Sequence, residues 1–374
     1  MADSTNCRLV GHFDCPGGGQ VWLDGTTMYI GHMSSPHGTS IVDVSDPARP
    51  RLLATVEIPE GWHSHKVRAE GGVMVVNHER AGKANPEFGG GLGIYDVSRP
   101  GAPKLITKWK TEGGGVHRYS FDGRYAYISP TVEGYIGNIM MILDLADPSR
   151  PLEVGRWWIP GQWKAGGEQY PWGDGVPPRC HHPLRLDNRL YVSYWHHGLF
   201  ILDIEDMSRP RMVGQFNVEP AFPWPTHTVL PIPHPLKGRR VAVVANEDVL
   251  KLRPAAPSFA WVFDITHESQ PFPISSIHVP GVDRDGSPQP DMTGCHQPTE
   301  RLAGDVIPFA WFAQGLRLMD ISDPYTPHEV GHYLPDLQPG CDRVCANDVT
   351  IDDRGLIYVV DRLRGVDIIQ SNLL

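Results

Sequence analysis

The sequence lacks any apolar run approaching the roughly 18 residues that a membrane-spanning helix needs, so insertion into a bilayer is not expected. It also lacks a Lys/Arg block. With 33 basic and 43 acidic residues and a formal net charge of −10, it offers no concentrated basic surface for phosphate backbones, and nucleic acid is excluded as a partner. Met1-Ala-Asp-Ser-Thr-Asn-Cys7 shows no basic region ahead of an apolar core, so no secretory signal is expected and the cytoplasm is the default location. The six cysteines (7, 15, 180, 295, 341 and 345) are too few and scattered for a small secreted disulfide framework. Cys341 and Cys345 lie close together but without CxxC spacing, and free thiols are expected over a zinc pair. There is no GxSxG elbow, no Walker A loop and no Rossmann GxGxxG between a strand and a helix. The glycine runs 17–19, 89–91 and 113–115 precede no helical pattern and read as tight turns, which disfavours a nucleotide or flavin enzyme.

Turn residues are abundant. Forty glycines and 36 prolines are spread evenly, as in a chain of many short strands. One phrase returns six times: Ser40-Ile-Val-Asp-Val-Ser-Asp-Pro47, Gly93-Ile-Tyr-Asp-Val-Ser-Arg-Pro100, Met141-Ile-Leu-Asp-Leu-Ala-Asp-Pro148, Phe200-Ile-Leu-Asp-Ile-Glu-Asp206, Trp261-Val-Phe-Asp-Ile-Thr-His267 and Leu318-Met-Asp-Ile-Ser-Asp-Pro324. A spacing of roughly 50–60 residues suits four-stranded units repeated around a ring. Each phrase is a strand running into a turn, and another strand follows, as in Arg51-Leu-Leu-Ala-Thr-Val-Glu-Ile58. Upstream of each phrase lies an inner hairpin, as in Val21-Trp-Leu-Asp-Gly-Thr-Thr-Met-Tyr-Ile30, Val67-Arg-Ala-Glu-Gly-Gly-Val-Met-Val-Val76 and Leu184-Arg-Leu-Asp-Asn-Arg-Leu-Tyr-Val192, where Asp-Gly and Asp-Asn are strong turn signals. Two hairpins make one propeller blade. The last unit, from Val349, has three strands, and Cys7-Arg-Leu-Val-Gly-His-Phe-Asp14 matches the fourth-strand pattern of Arg211-Met-Val-Gly-Gln-Phe216. The expectation is an all-β, single-domain, seven-bladed β-propeller over residues 1–374, closed by an N-terminal strand that completes the C-terminal blade. The repeated Ile-Val-Asp-Val-Ser-Asp-Pro phrase resembles the LVIVD-repeat family of β-propellers, a resemblance that covers essentially the whole chain and implies the fold without an activity.

In a propeller the start of each innermost strand comes closest to the axis. At that register the sequence offers Gln20 (or Gly19), His65, His117, His182, His227, His296 and Asp348 (or Asn347). Five histidines at one register, in a chain with 18 histidines among 374 residues, point to a shared cation. The expected ligands are three or four of His117, His182, His227 and His296, with His65 also available and Asp348 as ligand or orienting partner. Iron or copper is favoured, with zinc or manganese possible. The ends of the second strands add His78, Glu79, His197 and Arg362 as candidate substrate contacts and acid/base groups. Long aromatic insertions at 155–175 and 219–225, and further loops at 253–258 and 278–292, overhang the same face and suit a small aromatic or apolar substrate.

These features favour a metal-dependent oxygenase or other oxidoreductase. In plan it is similar to the carotenoid-cleaving dioxygenases, with iron held by four histidines on a seven-bladed propeller, and to the copper-binding selenium-binding-protein thiol oxidases. This is an analogy of architecture, since none of their motifs is visible. A Lewis-acid hydrolase, lyase or isomerase with Glu79 or a spare histidine as base is the alternative. A non-catalytic interaction module is a third reading, which the crowded histidines disfavour. Nothing in the sequence specifies an oligomeric state.

Overall fold

In the computed structural model the described residues are 2–171, 176–249, 257–279 and 292–374, and they form seven antiparallel sheets with no helix among them. The innermost strands, in ring order, are Gly18–Asp24, Val67–Glu70, Val116–Phe121, His182–Leu186, Thr226–Pro231, Gln297–Pro298 and Ala346–Ile351. They define blades 1 to 7. In blades 1 and 3 to 6 the sheet runs outward from this strand in chain order. Blade 7 takes its outer strand from Cys7–Asp14, which pairs antiparallel with Gly365–Ser371 and so joins the two ends of the chain. Two additions go beyond the four-stranded plan. Asp3–Thr5 forms a fifth strand on the outside of blade 6, and Trp62–His63 pairs with the far end of Val73–Arg80 in blade 2.

The repeated phrase has a common local structure. In each copy the aspartate caps the turn after the third strand, its Oδ1 accepting the backbone N–H two residues on: Ser45 from Asp43, Ser98 from Asp96, Ala146 from Asp144, Glu205 from Asp203, Thr266 from Asp264 and Ser322 from Asp320, all at 2.8–2.9 Å. An Asx turn of this kind offers the backbone an alternative to continuing the ladder, which ends the strand at a fixed residue. Just before it the third and fourth strands slip register by one, at Ile41/Val42, Ile94/Tyr95, Ile142/Leu143, Ile201/Leu202, Val262/Phe263 and Leu318/Met319. Such bulges sharpen the twist that lets blades stack around an axis. The fourth-strand glycines serve the packing of neighbours: a Cβ on Gly155 would stand 2.1 Å from the Met207 carbonyl oxygen, in the turn of the next blade.

The core is divided among the interfaces. Each pair of neighbouring blades encloses its own apolar cluster. Tyr29, Ile41, Val67 and Met74 lie between blades 1 and 2, and Val21, Ile30, Tyr358 and Ile368 lie between blades 1 and 7. The other five clusters follow the same pattern. The closing interface is therefore packed like the rest, and the ring leaves the axis to polar side chains.

Candidate metal centre

The axial residues are set by how the innermost strands begin. In blades 1, 3, 5 and 7 the ladder to the second strand starts with a bulge, which leaves Gly19, His117, His227 and Asn347 outside the regular pairing. In blades 4 and 6 the residue just before the first ladder position is His181 and His296. His65 precedes the short strand of blade 2. These seven positions form one ring. Its imidazoles make a continuous belt, with centroids 5.1 Å apart for His65 and His117, 4.9 Å for His117 and His181, and 4.3 Å for both His181–His227 and His227–His296. His63, carried by the extra strand of blade 2, extends the belt at 4.2 Å from His65.

The structure places two of the sequence-derived ligands elsewhere. In blade 4 the belt position belongs to His181, while His182 pairs with Ser193 inside the ladder. Asp348 likewise sits within the ladder, opposite Val360. For Asp348 the cause is the initial bulge of blade 7, which adds a residue that strand alternation does not reveal; for His182 it is the pairing with Ser193, which draws it into the ladder. His182 and Asp348 belong to a second ring with Gln20, Lys66, Arg118, Thr228 and Gln297, all buried. Its members brace neighbouring blades: Asp348 Oδ2 accepts the Val21 N–H and Gln20 Oε1 accepts the Val67 N–H, both at 3.0 Å. Glu300 gathers its cations. It pairs with Arg68 and lies 3.2 Å from Arg118 Nη2 and 3.3 Å from His182 Nε2. Burial pushes Asp348 up to about 6 against the pull of Arg118 and Lys66.

A third ring comes from the ends of the second strands: Met33, Glu79, Thr131, Trp195, Glu247, Phe312 and Arg362. Glu79 Oε2 accepts from His63 Nε2 and from His117 Nδ1, each at 2.7 Å. Glu247 lies 3.3 Å from His296 Nε2 and 3.9 Å from His227 Nε2. Arg362 Nε donates to Asn347 Oδ1 at 2.7 Å, and its guanidinium lies 5.6 Å from the Phe312 ring. Trp195 and Phe312 hold positive φ values of 35° and 31°, in the left-handed region that bulky residues avoid. Both turns aim an aromatic ring at the belt, Trp195 at 5.0 Å from His181 and Phe312 stacked at 4.4 Å on His296. Backbone held in this way clusters at functional sites. Arg179 lies over Trp195 at 4.5 Å and 3.9 Å from Glu79.

Of the four candidate substrate contacts, Glu79 and Arg362 therefore border the belt. His78 does not. Successive strand side chains alternate, so with Asn77 and Glu79 on the axial side His78 turns away and packs against Phe88 at 4.8 Å. Burial, then Lys108, takes it down to about 3. His197 lies under the aromatic overhang, 3.1 Å from the Tyr170 hydroxyl. Residues 172–175, 253–256 and 280–291 of the expected loops lie outside the described residues.

Among the described residues two clusters bring metal-ligand atoms within 4.8 Å of one another: His63, His65 and Glu79, and the buried His181, His227 and Glu247. Their hydrogen bonds fix tautomers. His181 Nδ1 donates to the His227 carbonyl oxygen at 2.8 Å, and His296 Nδ1 donates to the Asn347 carbonyl oxygen. The His181 Nε2 lone pair then faces inward, while His296 Nε2 turns to Glu247. Metal-binding histidines are oriented in this manner by outer partners. His117, donating from Nδ1 to Glu79, presents its own Nε2 lone pair 3.1 Å from that of His181. Burial first holds His117, His181 and His227 well below the usual histidine range, followed by Arg179 at His117, by His117 at His181 and by His296 at His227, and burial brings His296 to about 4. Burial alone would raise Glu247, but His296, Arg362 and Lys66 around it keep its carboxyl below the ordinary value.

The LVIVD repeat family matches residues 19–57, 113–158, 187–218 and 309–334, each span containing copies of the phrase or its flanking strands. The chain is an LVIVD-repeat β-propeller. Among curated proteins none matches this sequence. Solved structures similar to this LVIVD propeller include a streptogramin B lyase, at TM-score 0.58 and 12% identity over 98% of this chain and 97% of that one. The periplasmic gluconolactonase PpgL of Pseudomonas aeruginosa aligns at TM-score 0.56 and 14% identity over 83% of each chain. The β-propeller domain of Myceliophteria thermophila Cps50 (Swd1) aligns at TM-score 0.59 and 10% identity over 98% and 99%. At such identities the likeness is of fold, and the LVIVD propeller shares that fold with a lyase, a lactonase and the Cps50 (Swd1) propeller domain alike.

Proposed function

We propose that this propeller is a metal-dependent enzyme whose ion is held by His181, His227 and Glu247, with His117 and His296 flanking it. The observation that carries the reading is the pair of Nε2 lone pairs on His117 and His181, 3.1 Å apart with both Nδ1 atoms already donating. Two acceptors cannot satisfy each other. A shared proton would put positive charge into a buried belt beside Arg118 and Arg179, whereas donors bound to one ion at about 2.0–2.1 Å stand about 3.0–3.4 Å apart. The donor chemistry fits a transition metal: two imidazoles and one carboxylate with further positions open is a set that suits iron(II), and copper, zinc or manganese are also accommodated.

Bound there, such an ion would supply redox or Lewis-acid chemistry. The chain supplies the rest. Trp195 and Phe312 wall the belt with apolar surface, and Arg179 and Arg362 stand at its edge, where a guanidinium can take a carboxylate or phenolate. These features support oxidation of a small aromatic or apolar organic substrate. One observation favours a second reading, Lewis-acid hydrolysis, elimination or isomerisation: Glu79 orients His117 with its Nε2 lone pair directed at the belt, the arrangement of a general base. A partner-binding module needs no inward lone pairs on its axis.

Elemental analysis of untagged protein tests the proposal. Stoichiometric metal is expected, lost in His227→Ala and Glu247→Gln and retained in His182→Ala. Equal retention in all three would overturn the ligand set. Dioxygen uptake by the iron or copper form separates the oxidative reading from the Lewis-acid one.

A further inference from the structure

The Glu79 side of the belt is a construction of its own. Blade 2 has an extra two-residue strand, Trp62–His63, whose register sets His63 directly opposite Glu79. Trp62 is buried and its Nε1 donates to the Asn85 carbonyl oxygen at 3.2 Å, which anchors this addition. The effect is to deliver one more imidazole to a carboxylate already bonded to His117. His63, His65 and Glu79 bring three donor atoms within 4.8 Å of one another. His63 and Glu79 retain 15% and 19% side-chain exposure, a route to solvent that His181 and His227 lack. His117 meets both clusters: Nδ1 is 2.7 Å from Glu79 Oε2 and Nε2 is 3.1 Å from His181 Nε2.

We propose that His63, His65 and Glu79 form a second divalent-cation site, and that His117 bridges it to the His181–His227–Glu247 site. This rests on the reading of the latter cluster as a metal site. The separation of His63 Nε2 and Glu79 Oε2, 2.7 Å, is close to the roughly 3 Å expected of neighbouring donors on one ion. An imidazole with a cluster member at each nitrogen holds two sites at a fixed distance and couples them through its ring. Two ions side by side can stabilise the attacking and the leaving oxygen of one displacement together.

The test counts ions and then asks whether they sense each other. Untagged full-length protein is loaded with Zn(II), desalted and analysed for metal per chain; a Cu(II)-loaded sample is examined by electron paramagnetic resonance. The expected result is two ions per chain, falling to one in His63→Ala, in Glu79→Gln and in Glu247→Gln. Magnetic coupling between two Cu(II) ions should disappear in His117→Ala. One ion per chain, lost in Glu247→Gln but kept in His63→Ala and Glu79→Gln, overturns the second site and leaves the first standing. One ion lost in Glu79→Gln but kept in Glu247→Gln overturns the paired arrangement and the first site with it. No retained metal overturns both. Near-ultraviolet circular dichroism of each variant separates loss of an ion from loss of fold.

Discussion

Glu300→Gln replaces one carboxylate with a near-isosteric amide, beneath the belt. Glu300 faces Arg68 and Arg118, whose side chains are 3% and 0% exposed, and His182, which is fully buried. Removing the charge leaves two guanidiniums in the interior with Asp348 and Glu247 as the remaining nearby acids. Breaking a buried pair by deleting one partner typically costs about 3–5 kcal/mol, because the surviving charge remains desolvated. For a chain of 374 residues the unfolding entropy, at about 2.1 cal/mol/K per residue, is about 0.8 kcal/mol/K. The melting temperature should therefore fall by about 4–6 °C in scanning calorimetry. Asp122→Asn is the comparison. It removes a pair with Arg185 in which both side chains are about a third exposed, and a surface pair of this kind is worth at most about 1 kcal/mol. Arg118→Met combined with Glu300→Gln should recover part of the loss. Equal, small shifts for Glu300→Gln and Asp122→Asn would refute the reasoning and mean that the axis is solvated enough to screen its charges.

Acid should weaken the fold through histidines outside the belt. Burial lowers His32 and His197 to about 4 from the unfolded 6.5, so each contributes stability that is present above pH 6.5 and lost as pH falls toward 4. The slope is at most about 1.4 kcal/mol per pH unit for each; urea unfolding from pH 7 to 4.5 measures it, and His32→Gln should flatten it. Gly115→Ala should destabilise strongly and disturb metal retention, since Gly115 has φ of 110° and a Cβ there would stand 2.0 Å from the His78 carbonyl oxygen, next to Glu79. Wild-type melting in that variant would contradict the close approach. Deleting residues 2–14 removes the outer strand of blade 7 and the added strand of blade 6, and a large loss of soluble protein or of cooperative melting is expected; unchanged melting would show that closure is dispensable.

The blades were legible because their signals are local and repeated. An aspartate that caps its own turn, with a proline after it, recurs in six of the seven units, and a glycine stands in the fourth strand of blades 3, 4, 6 and 7; each acts within a few residues. The axial histidines of blades 2, 3, 5 and 6 were legible for the same reason. Blade 4 was not, because His181-His182 offers two candidates and the choice depends on hydrogen bonds to Ser193 in another strand. His63 was missed because its strand pairs with the second strand and not the first, so the repeat pattern has no slot for it. Glu247 stood in a recognised polar stretch, but only the third dimension sets it between His227 and His296. His78 shows the opposite case: once Glu79 is placed on the axis, alternation alone excludes its neighbour.

The initial bulge has a wider consequence. A bulged residue contributes its side chain to the axis without occupying a ladder position, so its identity is uncoupled from the apolar clusters between blades. Gly19, Asn347 and five histidines occupy the same slot in structurally equivalent blades. The belt thus holds four exchangeable inserts, in blades 1, 3, 5 and 7, beside three histidines that stand ahead of their strands. Metal preference could be rewritten there by directed evolution one blade at a time, with the repeat that builds the wheel left untouched.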